Sequence, residues 1–447
     1  MSYTAPQFWL LLFATLAAVL LAPQRARLWV LIAASLAFYG LPDATWLLWL
    51  AGVFAVVFAG ASAGPTAARL GAGALVIALV GVKFGDGAGL PLPAEPPGFS
   101  FLAFTAIAYL IDVARDPARR VLPPALLLHL AWFPKLLAGP IERSAALVPQ
   151  FSGLAMRPGL AALGFSLILS GLVKKLVIAD TLAPLVDAAY AIPDYAAPFE
   201  LLLASYFFAF QIYCDFSGYS DLALGLSALV GLRLSQNFDR PYLAVSVTEF
   251  WSDRWHITLG RWFRDYVYIP LGGGRHGPAR RILNLMTVFA LSGLWHAGLG
   301  YGVGWGFLVW GLLNGAVVSV EALLPPARPG LLRPLGALLT FHLILVTWVF
   351  FRAATVEDAL TILRRIAGGL AELPAVLAAY PFTAAQITGA GLVVALLAAE
   401  IALRGRPFAE RLADAPVALR WAAWYGALAL LLLFGRWQGE GFIYARF

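Results

Sequence analysis

EFWSDRWHITLGRWFRDYVYIPLGGG, residues 249–274, is the stretch on which the reading of this chain turns. It holds His256, three arginines and seven aromatic residues, in a chain whose charged residues are only 12% of the total. Apolar runs flank it on both sides, and the next one brings a second histidine, His296, in SGLWHAG (292–298). Polar groups at membrane depth are costly unless they face a cavity or partners. A chain that gathers its polar chemistry into one such segment marks that segment as its working site.

Composition sets the solvent. With 61% hydrophobic residues and a mean hydropathy of +0.81, the apolar runs exceed what one water-soluble core can bury, so lipid must cover much of the surface. The runs are continuous and rich in Ala, Leu, Val and Gly. Short alternating segments, the mark of a β-barrel, are missing from this pattern. The expectation is an all-α polytopic membrane protein, with 1–447 as a single domain. A net charge of +7 fits arginine retained on the cytoplasmic side better than nucleic-acid binding. Cys214 stands alone, which excludes an internal disulfide, and it reads as a structural helix residue. The first apolar run lacks a basic segment before it, and Arg25 and Arg27 follow it, so it is expected to be a retained span with its N-terminus outside.

Apolar runs lie near 8–22, 28–41, 45–60, 70–84 and 99–113. Arg25, Arg27, Arg69, Arg115, Arg119 and Arg120 mark one side; Asp43 and the 85–98 loop with Asp86 and Glu95 mark the other, and the positive-inside rule makes the first set cytoplasmic. Residues 121–158 are interrupted by Pro123, Pro124, Pro134, Pro140 and Pro149, with Lys135, Glu142 and Arg143 among apolar residues, which predicts a re-entrant or interfacial segment packed against protein. Further spans are expected near 160–180, 200–232, 282–299, 302–320, 335–351, 386–403 and 418–434, with an amphipathic connection at 352–385. The total is eleven or twelve. No internal repeat of the transporter kind is found.

Within the span near 200–232, Asp215 and Asp221 lie at membrane depth. Six residues apart, they sit about 120° out of alignment on a helix, so they should not pair side by side. They either fix helix packing or serve a polar path. Read as one helix, the central stretch puts Arg254 and Arg261 on one side with Arg264 nearby, and His256, Leu259 and Phe263 on the other. The arginines then meet lipid headgroups or the phosphates of an acyl donor, for which guanidinium geometry is suited. His296 follows Trp295 and precedes a run of alternating glycines, Gly298 to Gly306. It is either a buried histidine bonded to a carbonyl or a base that takes a proton from an attacking hydroxyl. His276 in GGGRHG (272–277) reads as solvent-side, and His129 and His342 as structural. No ligand-like spacing for a metal appears.

Several motifs together carry a resemblance: QIYCDFSGYSDLALGLSALVGLRLSQNFDRPYLA (211–244), RWHITLGRWFRDYVYIPLGG (254–273), SGLWHAG (292–298), LAGPIERSAALVPQF (137–151), FSFLAFTAIAYLIDVARD (99–116), TWVFFRA (347–353) and GFIYARF (441–447). From about residue 99 to the end, the chain resembles the membrane-bound O-acyltransferase family, in its bacterial alginate O-acetylation branch. The resemblance implies spans and re-entrant helices around a central tunnel, with N-terminal spans in 1–98, core motifs in 99–353 and C-terminal spans in 354–447. By position, it implies that His296 is the essential histidine and His256 the second. Arg254, Arg261, Arg264, Asp215, Asp221, Asn237 and Asn314 are expected to line the tunnel or bind the acyl donor. Asn314 stands where the family often has histidine.

The implied activity moves an acetyl or short acyl group from acetyl-CoA or another cytoplasmic thioester to a hydroxyl of an exopolysaccharide, directly or through a periplasmic hydrolase-like partner, at the bacterial inner membrane. No bound cofactor, metal or nucleic acid is expected. The competing reading is a transporter or flippase in which the buried Asp and His residues relay protons.

Overall fold

Prolines and loop charges cut the chain into helices, and the computed structural model describes them over residues 3, 5–85, 95–297, 304–324, 333–403, 405–437 and 442. Among these residues there is no strand. The first half runs α1 (Pro6–Leu21), α2 (Gln24–Gly40), α3 (Thr45–Ala63), α4 (Pro65–Phe84) and α5 (Phe99–Arg115). Three short helices follow, α6 (Pro123–Ala131), α7 (Phe133–Leu136) and α8 (Ser144–Leu147). Next, α9 (Pro158–Leu172) passes through a π-helical turn at Val173–Ala179 into α10 (Asp180–Tyr190), and α11 (Pro198–Leu229) returns beside it.

The central stretch contributes α12 (Val247–Glu249) and α13 (Ile257–Phe263). Beyond it lie α14 (Gly277–His296), α15 (Trp305–Glu321), α16 (Arg333–Arg352), α17 (Val356–Gly369), α18 (Leu373–Ala379), α19 (Ala384–Ala402), α20 (Phe408–Ala413) and α21 (Val417–Phe434).

Seven of the described helical segments are long and apolar enough to cross a membrane: α3, α4, α9–α10, α11, α16, α19 and α21. The count of eleven or twelve rested on apolar runs alone. α1 and α15 are apolar but have 16 and 17 residues. α5 is almost wholly buried in protein, so its apolar sequence answers to side chains as much as to lipid. α11 is the axis, with 72% of its apolar window buried, against 6% for α19 and for α21. Cys214 lies fully buried within α11.

Glycine sets the spacing between α9 and α11. A Cβ on Gly171 would stand 2.5 Å from the Gly218 carbonyl oxygen, and one on Gly164 would stand 2.8 Å from that of Gly225. Both pairs are seven residues apart on their helices, so two close backbone contacts stack along one seam. Small residues bring membrane helices together because lipid tails are as apolar as the side chains they replace.

Two expectations are refined. Residues 131–142 are buried throughout, which places the proline-rich segment inside protein, as short helices rather than a span. The 352–385 connection is α17 and α18; Thr355 and Asp358 cap α17 reciprocally, and Ala359 and Ile362 face the core.

The central stretch, however, is not one helix. A π-helical turn at Phe250–Arg254 ends at Trp255, His256 takes a left-handed backbone (φ 43°), α13 restarts, and a second π-helical turn occupies Arg264–Tyr268. The single-helix arrangement of Arg254 with Arg261 and Arg264 is thereby corrected, because the break at His256 separates them. The turn at Gly272 and Gly273, both at positive φ, follows.

Candidate active site

His256 owes its position to Asn237. The Asn237 backbone carbonyl accepts from the Ile257 amide at 3.0 Å, and the Asp239 amide donates to the Arg254 carbonyl at 2.9 Å, so the loop before α12 clamps both sides of the break. The Asn237 Oδ1 accepts from Thr258 Oγ1 at 2.9 Å and lies 3.0 Å from His256 Nδ1. The Thr258 amide also donates to it, at 3.3 Å. Its Nδ2 donates to Ser220 Oγ on α11 at 3.2 Å. With Oδ1 fixed as an acceptor, the His256 Nδ1 carries the proton and Nε2 carries the lone pair. Nε2 is buried and has no hydrogen-bond partner among the described residues. Phe216 meets the ring edge-on at 4.8 Å and Phe101 stacks on it at 6.0 Å.

His296 closes α14. Its Nδ1 lies 2.6 Å from the Ser292 carbonyl one turn back, and a carbonyl can only accept, so the lone pair again sits on Nε2. The ring is buried among Trp295, Trp310 and Phe351, with centroids at 4.5, 5.0 and 5.3 Å. Both histidines are 4% exposed. Phe101 touches Trp295 at 6.0 Å. One pair of aromatic rings therefore links the surroundings of His256 to those of His296, so the two histidines stand behind adjoining aromatic walls.

Asn314 belongs to the same wall. Its Oδ1 accepts from Trp251 Nε1 at 3.0 Å and its Nδ2 donates to the Trp310 carbonyl at 2.8 Å. Trp310 is the ring against His296, so Asn314 ties α15 to the segment that holds His256.

The remaining expected residues lie elsewhere. Asp215 pairs with Lys175 at 2.8 Å, and Lys175 also meets Asp180 at 2.8 Å. Asp221 pairs with Lys174 at 2.8 Å. The two aspartates do not pair with each other; they take consecutive lysines of the π-helical turn beside α11. Arg254 is held by Glu249 at 2.7 Å and by the carbonyls of Asp239 and Arg240. Arg264 is exposed and paired with Asp265 at 2.9 Å, and Arg261 is exposed. Gly298, Gly300 and Gly302 lie outside the described residues, as does most of GFIYARF. Among the described residues no group of three or more His, Cys, Asp or Glu is gathered for a metal.

Sequence reasoning missed a cavity of about 620 Å³ lined by Arg115, Arg119, Arg143, Arg275, Tyr266 and Asp265, among others. These residues come from the end of α5, the α8 region and the turns after α13. α5 serves as a ruler between the two places: Phe101 stands at the histidines and Asp112 at the cavity. The eleven residues separating them at 1.5 Å each give about 16 Å. The only signals in the sequence were the arginines after 114 and the aromatic-basic character of 261–268.

Comparison with known proteins converges on one family. The model of MBOAT, the membrane-bound O-acyltransferase family, matches residues 98–328. The chain is 41% identical over 267 residues to the probable alginate O-acetylase AlgI of Azotobacter vinelandii, covering 59% of this chain and 52% of that protein. The Pseudomonas aeruginosa protein of the same description is 40% identical over 267 residues, covering 59% and 50%. A Helicobacter pylori peptidoglycan O-acetyltransferase is 35% identical over 285 residues, covering 62% and 50%. The chain spans about half the length of these curated relatives. The matched region contains His256, the loop that clamps it, and His296, and the chain belongs to the membrane-bound O-acyltransferase family.

Proposed function

We propose that this chain is a membrane O-acyltransferase that moves an acetyl or short acyl group from a cytoplasmic thioester, such as acetyl-CoA, to a hydroxyl on the far side of a bacterial inner membrane. The observation that carries the proposal is the tautomer of His296. Its Nδ1 is committed to the Ser292 carbonyl, which puts the basic lone pair on Nε2, in buried aromatic surroundings. In the reaction, Nε2 takes the proton of the acceptor hydroxyl while the oxygen attacks the thioester carbonyl. The carbon–sulfur bond then breaks, the thiolate recovers that proton, and an oxygen ester remains. His256, of the same tautomer and behind the adjoining aromatic wall, is the second catalytic histidine, and Asn237 holds it in place.

The relatives' names, alginate O-acetylase and peptidoglycan O-acetyltransferase, support an exopolysaccharide or a related polymer as the acceptor, reached directly or through a periplasmic hydrolase-like partner. We read 1–447 as one unit, and the buried cluster that runs from Tyr3 to Phe442 among the described residues supports this. Lysine pairing of Asp215 and Asp221 supports this reading over a proton-relaying transporter, because each carboxylate already has a counter-ion.

The test is ester-linked acetate on the surface or secreted polymer of cells carrying wild type or His296→Ala at matched membrane levels. Loss of acetate with export of the polymer intact is expected. Unchanged acetate, or loss of the polymer itself, overturns the proposal.

A further inference from the structure

We infer that the cavity between the end of α5, Arg143 and the turns after α13 is a binding site for a phosphate-bearing ligand. Three observations carry this. First, four arginines line it, Arg115, Arg119, Arg143 and Arg275, against two aspartates, Asp112 and Asp265, so the lining holds a formal excess of two positive charges. Second, not all of that charge is spent inside the protein. Arg143 reaches Asp265 at 3.3 Å through one nitrogen, but its buried Nη1 has no hydrogen-bond partner among the described residues. Arg275 donates to the backbone carbonyls of Gly272 and Ile269 and is otherwise turned outward. A buried guanidinium nitrogen without an acceptor is costly, and a phosphate oxygen is the acceptor that guanidinium geometry fits best.

Third, the site is built rather than incidental. Tyr266 lies under both Arg143, 4.2 Å from its ring centroid, and Arg115, 5.3 Å away. The Tyr266 hydroxyl is tied to Asp112 at 2.9 Å. Arg115 reaches over to the Asp265 carbonyl at 3.2 Å. One aromatic ring thus orders two guanidinium groups that come from segments far apart in the chain.

The ligand has two possible sources, and both present the same group. Arg115, Arg119 and Arg143 lie at the arginine-rich end of the molecule, where a lipid headgroup phosphate is within reach. A soluble phosphate compound can reach the same mouth, which is open to water. With about 16 Å of α5 between Phe101 beside the histidines and Asp112 at the cavity, a phosphate here anchors its molecule and takes no part in chemistry at the histidines. The inference needs only the geometry of the cavity; it does not rest on acyl transfer.

The experiment follows the unfolding temperature of the purified full chain in phosphatidylcholine nanodiscs titrated with inorganic pyrophosphate. In parallel, nanodiscs containing phosphatidylglycerol are compared with phosphatidylcholine alone. Wild type should be stabilised by at least one probe. Pyrophosphate alone assigns a soluble ligand, phosphatidylglycerol alone assigns the lipid, and a response to both assigns the shared phosphate chemistry. Arg143→Ala and Arg275→Ala should each need about tenfold more of that probe, since each removes one charge-assisted contact. Arg120→Ala, a neighbouring arginine outside the cavity lining, should respond as wild type. Arg275 is exposed, so its variant keeps the test sound even where Arg143→Ala fails to fold. Stabilisation by neither probe, or an unaltered response in Arg275→Ala, overturns the inference. The acetate assay can fail without touching this result, and the reverse also holds.

Discussion

At His256 the backbone and the side chain make opposite demands. A left-handed conformation suits glycine and costs an L-residue with a Cβ about 1–2 kcal/mol, yet the position holds a histidine at φ 43°. His256→Gly should therefore be more thermally stable than His256→Ala, by about 1 kcal/mol, while both lose the proposed acetyl transfer. Equal unfolding temperatures would show that the clamp does not impose this conformation. Asn237 is the residue that does the imposing. Asn237→Ala strands three donors, the His256 Nδ1 and the Thr258 amide and hydroxyl, and should cost at least ~2 kcal/mol. Asn237→Asp keeps the acceptor oxygen, and Ser220 can turn its hydroxyl to donate, so fold and membrane yield should return. If Asp fails as badly as Ala, the amide acts by some route other than accepting from His256.

This scale also shows where the sequence was readable. His256 and His296 stood out by their setting, but nothing near His256 announced that its ring would be held by a residue 19 positions earlier. The same blindness misplaced the arginines. A wheel drawn through 249–274 assumes unbroken helix. Periodicity cannot see that Asn237 supplies hydrogen bonds that compete with the ladder at Trp255–His256.

Among the elements, the seam of α9 and α11 is the most sensitive. Gly171→Val places carbon inside the 2.5 Å gap to the Gly218 carbonyl, and neither backbone can move without breaking the seam at Gly164 and Gly225, about two turns away. Gly159→Ala, at a position where a Cβ meets nothing within 4 Å, is the matched control. Fluorescence-detected gel filtration of solubilised protein should show loss of the folded peak for the first and none for the second.

The π-helical turn on the same seam makes a second claim. Lys175→Met leaves Asp215 and Asp180 facing each other in a buried site and should destabilise by about 3–5 kcal/mol. The triple variant Lys175→Met/Asp215→Leu/Asp180→Leu should recover most of that loss. Failure to recover would mean that the charges do more than balance one another. The pairing partners were partly foreseeable: the phase of Asp215 and Asp221 on a helix excluded a mutual contact, but it could not name Lys174 and Lys175 on the neighbour.

Across the whole molecule, hydropathy identified helices well and surroundings poorly. α5 and α19 read alike as apolar runs, yet one is enclosed by protein and the other is 6% buried over its window. What separates them is the partner each finds in three dimensions, a property no local pattern holds. The arginine cavity was hidden for the same reason, since its lining comes from residues 112–119, 143–145 and 265–275. Burial therefore predicts tolerance. Ile344→Ala, fully buried in α16, should cost about 2–5 kcal/mol. Leu432→Ala, 76% exposed on α21, should change the unfolding temperature little in lipid, and a large drop there would mean that protein, not lipid, covers α21.

The lone thiol has a practical consequence. Cys214 lies fully buried in the middle of α11, so a maleimide added to native membranes should find nothing to react with until the bundle opens. The chain thus contains its own unfolding clock, read as the rate at which a single label appears. Once Cys214 is replaced by alanine, it also becomes a blank slate for reporters. A cysteine placed at Arg119 and another at Asp43 should then be labelled by a membrane-impermeant reagent from opposite faces. That pair of labels would give the molecule a compass, telling which end of the helix bundle faces the cell interior.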